Sequence, residues 1–356
     1  MFPCRGLVAP CQRAASSIEG RPFRCQRRKS PRILDRPVQN AAERSVPRCR
    51  IRPRDSRACE PSRAGGRKGR ALTDVRIRRL AVDDLDQALG LSTSAGWNQH
   101  VDDWRVFLQI APAGAFAAEA NRRIVGTAIG VDYGGFAWIA MMLVDPAFRG
   151  CGLGGRLLEA ALESVPADLP VRLDATPLGR PLYRRYGFEV ETTLSRFVVN
   201  RAFTPTPGAR AVRPLTIADL PLAIERDRGI FGGVRATVLE WSFSNASCYA
   251  HVAPSTNGAI QYCFGRRGRL FDQIGPVVAG DATVAHALLH AACAAANGRP
   301  IAVDAFDAHS AFTAGLRESG FVVERPFFRM RLSRGAAERA TPAGGAEYAI
   351  FGPEFG

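Results

Sequence analysis

The sequence predicts a protein of the α/β class, made of two related α/β domains behind a disordered basic tail. Three observations lead there. From Val75 onward, apolar runs of strand length alternate with amphipathic stretches of helical period. The order of these elements recurs after residue 210. The positive charge sits at one end: residues 1–72 hold 19 of the 48 basic and 5 of the 33 acidic residues, leaving a nearly neutral 29 and 28 for the body.

The first 72 residues lack apolar periodicity and are cut by prolines at 22, 31, 37, 47, 53 and 61. Such a composition cannot bury enough surface to offset chain entropy, so disorder is expected. Five of the nine cysteines fall here, with no zinc-ligand spacing and no histidine nearby. An Arg-rich, acid-poor segment could be a transit peptide, an arm for an anionic surface, or an extension the working protein does not need. The last reading is favoured, and the body carries almost no net charge. Nucleic acid is therefore not an expected partner of the body. No apolar run reaches the roughly 18 residues of a membrane span. The four body cysteines (151, 248, 263 and 293) are scattered, which suits a reducing, cytoplasmic setting.

In the body, Val75–Leu80 reads as a strand, and Val82-Asp83-Asp84-Leu85 opens a helix with acids in its first turn. Trp97-Asn98-Gln99 lies in a loop before an amphipathic stretch, Val101 to Ile110. Three strands follow, Ala115–Glu119, Ile124–Val131 and Phe136–Val144, parted by turns at 121–123 and 133–135. A glycine-rich loop leads to a helix over Arg156–Ser164. Next come a strand (Val171–Ala175), a short helix (Leu182–Tyr186) and closing strands within Glu189–Val199. Asn200–Arg210, with two prolines, reads as a linker.

Beyond it the pattern repeats. Leu173-Asp174-Ala175 is matched by Val303-Asp304-Ala305. Gly187-Phe188, Val190, Glu191 and Arg196 return as Gly320-Phe321, Val323, Glu324 and Arg329 at one common offset. Several matches in the same order argue for an internal duplication.

The chemistry concentrates at Arg149-Gly150-Cys151-Gly152-Leu153-Gly154-Gly155, between an apolar strand and a helix. Glycines at a helix N-terminus let several backbone N–H groups approach one anion, and the helix dipole adds partial positive charge. That points to a phosphate or pyrophosphate site. Gly150, Gly152 and Gly155 also satisfy G-x-G-x-x-G, with Asp174 placed as a ribose-binding acid would be. A nicotinamide-dependent oxidoreductase is thus the rival enzyme reading. Against it, Asp145 to Arg149 intervene between strand and first glycine, and the strand does not open its domain.

The arrangement resembles the GNAT acetyltransferase superfamily, whose signature [R/Q]-x-x-G-x-[G/A] is met by Arg149 to Gly154. Leu-Val-Asp-Pro before it and Leu-Tyr-x-x-x-Gly-Phe over 182–188 extend the likeness across Val75–Val199. The resemblance implies an α/β (α+β, three-layer) fold, each domain a mixed, mostly antiparallel sheet flanked by helices. It implies acetyl-CoA as co-substrate and no metal. Backbone amides of Gly150, Cys151, Gly152, Leu153, Gly154 and Gly155 would hold the pyrophosphate. Leu143 and Val144 would pair with the pantetheine arm where two strands splay. Tyr183 would protonate the departing thiolate, and Arg149 would bind in the signature or brace its turn. Trp97, Asn98 and Gln99 are candidates for an acceptor wall.

The second copy departs from the pattern. Gln273–Val278 resembles the strand before the signature, but Ala279–Val284 lacks the arginine and the glycine series, and Leu316 stands where Tyr183 would be matched. This copy is expected to be degenerate, with Asp304 a candidate to face a cationic acceptor. The expected organisation is a tail (1–72), an acetyl-CoA-binding domain (73–199), a linker (200–210), a degenerate domain (211–332) and a segment (333–356) that docks on the body. The expected activity is transfer of acetyl to a small primary amine. A non-catalytic acyl-CoA sensor is the remaining alternative. A monomer suits a chain whose second domain is a built-in partner.

Overall fold

The structure is a computed structural model that describes residues 75–200, 212–254, 258–335 and 345–356. The expected disordered tail and most of the expected linker lie outside the described residues. The first half runs β1 (Arg76–Arg79), α1 (Leu85–Ser94), α2 (Val101–Ile110), β2 (Ala115–Ala120), β3 (Arg123–Asp132), β4 (Ala137–Val144), α3 (Leu153–Glu163), β5 (Val171–Ala175), α4 (Arg180–Arg185) and β6 (Glu189–Val199). The helix after the glycines starts at Leu153, not at the expected Arg156, so part of the signature is itself the first helical turn.

The second half repeats the order with β7 (Arg213–Pro214), α5 (Leu220–Phe231), α6 (Ala236–Ala246), β8 (His251–Ala253), β9 (Gln261–Arg266), β10 (Asp272–Val278), α7 (Ala282–Ala294), β11 (Ile301–Phe306), α8 (Ser310–Glu318) and β12 (Val322–Leu332). One further strand, β13 (Glu347–Ile350), follows.

All the strands join one sheet, in the order β1-β2-β3-β4-β5-β12-β6-β11-β13-β10-β9-β8-β7. Its pairings are antiparallel except for two short parallel contacts, β4 with β5 and β10 with β11. The halves exchange their long last strands. β12 lies between β5 and β6, and β6 lies between β12 and β11. The duplication read from sequence therefore gives two interlocked copies rather than two beads.

Alternation along β4 sorts its side chains to two layers. Ala137 and Ile139 face α3, whose Leu153, Leu157, Leu158 and Ala161 are buried against them. Trp138 and Ala140 face the other layer, where Trp104 and Phe107 of α2 join Phe231, Leu239, Phe351 and Phe355 from the second half and the last segment. Full burial of one such apolar side chain contributes about 1.5–3 kcal/mol. A third core lies beneath α7 and α8.

Two ion pairs lock the exchanged strands. Arg196 of β6 donates from Nε and Nη2 to Asp304 of β11, both at 2.7 Å. Arg329 of β12 donates in the same way to Asp174 of β5, both at 2.9 Å. These are the duplicated Arg and Asp positions, and each pair joins one half to the other. Both aspartates are fully buried.

Candidate active site

β4 and β5 pair only at Ala137↔Val171 and Trp138↔Arg172 and then diverge. Beyond the split β4 carries a bulge: Thr127 pairs with Leu143 and Ile129 with Ala140, so Met141 and Met142 oppose the single residue between them. Met141 adopts φ +50°, and the buried Thr127 hydroxyl donates to its carbonyl at 2.7 Å. The bulge lets the last residues of β4 line an open cleft of about 1230 Å³ together with the signature loop and α4.

The loop is shaped by its glycines. Gly150 and Gly152 have φ of +79° and +80°, a region that favours glycine, and a Cβ at either would meet nothing within 4 Å. Both line the cleft, so what they face is open space. Gly152 is the N-cap of α3 and supplies no side-chain hydrogen bond, leaving the first-turn amides for an external acceptor. Gly155 serves packing instead: a Cβ there would stand 2.6 Å from the Tyr186 hydroxyl. Arg149 donates from Nε to the Val144 carbonyl at 2.9 Å, bracing the loop against the end of β4. Cys151 is exposed, and its Sγ lies 3.5 Å from the Arg149 carbonyl. Leu143 is buried, while Leu153 anchors the loop in the core.

A second cavity of about 130 Å³ opens beside the cleft. Trp97, Met142, Thr176, Gly179, Tyr183 and Arg325 border both spaces. Tyr183 is 8 % exposed, and burial pushes its phenol above the ordinary range, so it holds its proton. No hydrogen-bond partner of its hydroxyl occurs among the described residues. A protonated phenol at the junction of two spaces can donate a proton there.

Trp97, Asn98 and Gln99 all reach this cavity. Asn98 is used as a latch: it donates to the Phe271 carbonyl at 2.9 Å and accepts from the Leu270 and Phe271 amides at 2.8 and 3.1 Å. Gln99 donates to Glu354 at 3.2 Å. Asp304 does not border the cavity. Its carboxylate is fully enclosed, held by Arg196 and by Gln273 at 3.0 Å, so it cannot meet an acceptor as the sequence suggested.

The sequence reading missed four charged residues of the wall: Arg196, Arg266, Arg325 and Glu354. Arg266 donates to Asp103 at 3.1 Å and also to Glu354. Burial and the neighbouring Glu354 charge push Asp103 up to about 6, against the pull of Arg266. Arg325 and Phe327 arrive on the exchanged strand β12, and Glu354 on the segment after β13. The apolar character of that segment is the one signal that could have placed it here.

Asp174, the acid raised for a ribose, borders the cavity but is already engaged. Both of its oxygens accept from Arg329. The oxidoreductase reading loses its acid.

The second half contains the same split, with β10 and β11 paired in parallel only at Asp272↔Ile301 and Gln273↔Ala302. Here the split is filled. β13 enters it and pairs with both sides, Ala349 with Val277 of β10 and with Ala305 of β11. The start of α7 is filled as well: Asp281 accepts from the Val284 amide at 2.9 Å, and Gln261 accepts from the Gly280 amide at 2.6 Å.

Comparison with known proteins agrees with this architecture. Two family profiles, each described as an acetyltransferase (GNAT) domain, match residues 111–190 and 223–341. The chain is 27% identical over 249 residues to the uncharacterized N-acetyltransferase YitH of Bacillus subtilis, covering 68% of this chain and 86% of that one. Among solved structures, a protein of Pyrococcus horikoshii provisionally designated an acetyltransferase aligns with a TM-score of 0.66 at 20% identity, over 83% of this chain and all of that one. A tandem GNAT protein from the clavulanic acid biosynthesis pathway aligns with a TM-score of 0.53 at 15% identity, over 74% of this chain and all of that one. The chain belongs to the GNAT superfamily as a tandem protein and is an N-acyltransferase of that type. Among the described residues no helix is long and apolar enough to cross a membrane.

Proposed function

We propose that the first half, residues 73–199, moves the acetyl group of acetyl-CoA directly to a small primary amine. The observation that carries this is the contrast between two equivalent places. In the first half, the strand split and the uncapped start of α3 border one open cleft. In the second half, both positions are taken by β13, Asp281 and Gln261. The second half accordingly acts as scaffold and pocket wall, which is the sense in which that copy is degenerate.

The residues present suit the co-substrate. Amides of Gly150–Gly155 and the α3 dipole would hold its pyrophosphate. The unpaired edge of β4 from Met142 to Val144 would take the pantetheine arm. When bound, acetyl-CoA supplies an activated acetyl carbonyl and a thiolate leaving group. Tyr183 gives its proton to the departing sulfur as the carbon–sulfur bond breaks. The amine, whose nitrogen forms the new bond to the acetyl carbon, must shed a proton. Two carboxylates border the acceptor cavity, Asp174 and Glu354. Asp174 has both oxygens bound by Arg329, whereas Oε2 of Glu354 has no hydrogen-bond partner among the described residues. Glu354 is the group we assign to receive that proton, and water restores Tyr183. The reaction needs no metal, and the scattered cysteines of the body suit a reducing, cytoplasmic setting. One chain contains every part of the site, so a monomer suffices.

The test is a thermal-shift titration of the whole chain with acetyl-CoA and, in parallel, NADH. Ligand at about 100 times its dissociation constant adds about 2.7 kcal/mol of stability. Acetyl-CoA alone should raise the melting temperature, and Gly152→Val should abolish the rise. A rise with NADH alone would overturn the reading.

A further inference from the structure

The wall of the acceptor cavity carries unbalanced charge of both signs, at different residues. Arg196 and Asp174 border it, but each is neutralised by a bidentate partner outside it. Arg266 is one cation shared by two carboxylates, Asp103 and Glu354, so the trio carries one negative charge in excess, and Glu354 is its carboxylate on the wall. Arg325 is the opposite case. Its only ion pair among the described residues runs from Nε to Glu324 at 3.8 Å, beyond hydrogen-bond reach, and its side chain keeps 37 % exposure. It stands where the cleft and the cavity meet. Two further polar atoms of wall residues, Oε1 of Gln99 and Nε of Arg266, are buried without a partner, one an acceptor and one a donor.

From this pattern we infer that the acceptor is a small zwitterion, an amine that also carries a carboxylate, as an α-amino acid does. The inference rests on the acetyl-transfer reading above. Arg325 pairs with the carboxylate in the two-pronged manner guanidinium favours, and Glu354 faces the amine. Size points the same way. The cavity of about 130 Å³ is near the roughly 150 Å³ that holds a benzene-sized guest. Ile139, Met141 and Phe327 give the wall an apolar stretch that suits a short side chain. A plain amine would leave Arg325 desolvated and unpaired when it closed the junction, a loss of the kind that makes polar sites selective.

The test uses the whole chain with saturating acetyl-CoA, reading release of free thiol. α-Amino acids from glycine to leucine are each compared with the matching carboxamide and the matching decarboxylated amine. At least one amino acid should exceed both of its analogues in kcat/KM by about 10-fold or more, the scale of a charge-assisted hydrogen bond. Arg325→Gln should raise KM for that amino acid by about 10-fold with kcat changed far less, while its amide and amine are unaffected. Arg325→Lys should restore part of the loss. Equal or better turnover of amides or amines would overturn the inference, as would an Arg325→Gln effect shared by all three analogues. If no amino acid is acetylated while acetyl-CoA still stabilises the protein, the acceptor class is wrong and the acetyl-transfer reading stands. If acetyl-CoA does not stabilise it, both fall.

Discussion

Tyr183 and Arg149 both line the cleft, and their polar groups are engaged differently. Arg149 is an arginine of the signature, yet its Nε goes to the carbonyl at the end of β4. That bond braces the loop against the strand end, while the residue also lines the cleft. Tyr183 packs edge-on against Phe188 with ring centroids 5.9 Å apart, while its hydroxyl has no partner among the described residues. Tyr183→Phe should therefore lower kcat by about 10 to 10²-fold and leave the melting temperature unchanged. The leaving thiol has an intrinsic pKa of about 8.5, so the donor assists without being indispensable. Because burial raises the phenol's pKa, this group stays protonated through alkaline pH up to at least its ordinary value of about 10. A rate profile of the wild type against Tyr183→Phe checks this. Both should share any alkaline limb below that pH.

At the scale of elements, the exchanged strands β6 and β12 carry the mechanical load. Each brings an arginine to an aspartate of the other half, and each guanidinium lies over aromatic rings: Arg329 is 4.9 Å from the Trp138 ring centroid, and Arg196 is 5.2 Å from that of Phe327. Removing one partner of a buried pair strands the other charge. Arg329→Ala should cost about 3–5 kcal/mol in urea unfolding. Replacing both members by apolar residues of similar volume, Arg329→Met with Asp174→Leu, should recover most of that loss. The measurement separates the penalty of an orphaned charge from the net value of the pair, which is small for buried ion pairs in general.

At the scale of the whole molecule, the exchange makes the halves mutually dependent. Without the second half, β5 would lose its neighbour β12 and β6 would lose both β12 and β11. Residues 73–200 expressed alone should not fold, as seen by loss of near-ultraviolet circular dichroism and by aggregation on gel filtration. The intact chain should unfold in one cooperative transition, with calorimetric and van't Hoff enthalpies in agreement. Two separate transitions would mean that the interlock contributes little. The last segment links both sites, since β13 fills the split of the second half and Glu354, a few residues on, reaches the cavity of the first.

Most of the elements were legible in the residues, because strand alternation, helical period and turn glycines are local signals. β5 was read with its observed bounds, β6 is one continuous strand where closing strands were expected, and the glycine loop announced its own geometry through Gly150 and Gly152. The duplication was legible too, through Asp174 with Asp304 and Arg196 with Arg329. What those residues do was not. Each Asp looks like a polar strand end until its partner is known, and the partner lies 108 or 155 positions away. Asp304 stood as a candidate to face an acceptor for that reason. The pocket residues Arg325 and Glu354 carry no motif at all. The sequence by itself determined the element order, the repeat and the glycine-rich turn, all of which depend on neighbours within a few residues. Only the tertiary structure decided which split stays open, which is plugged and which charges stand unpaired. Those outcomes depend on strands paired across the two halves, and no local pattern encodes a partner so far along the chain.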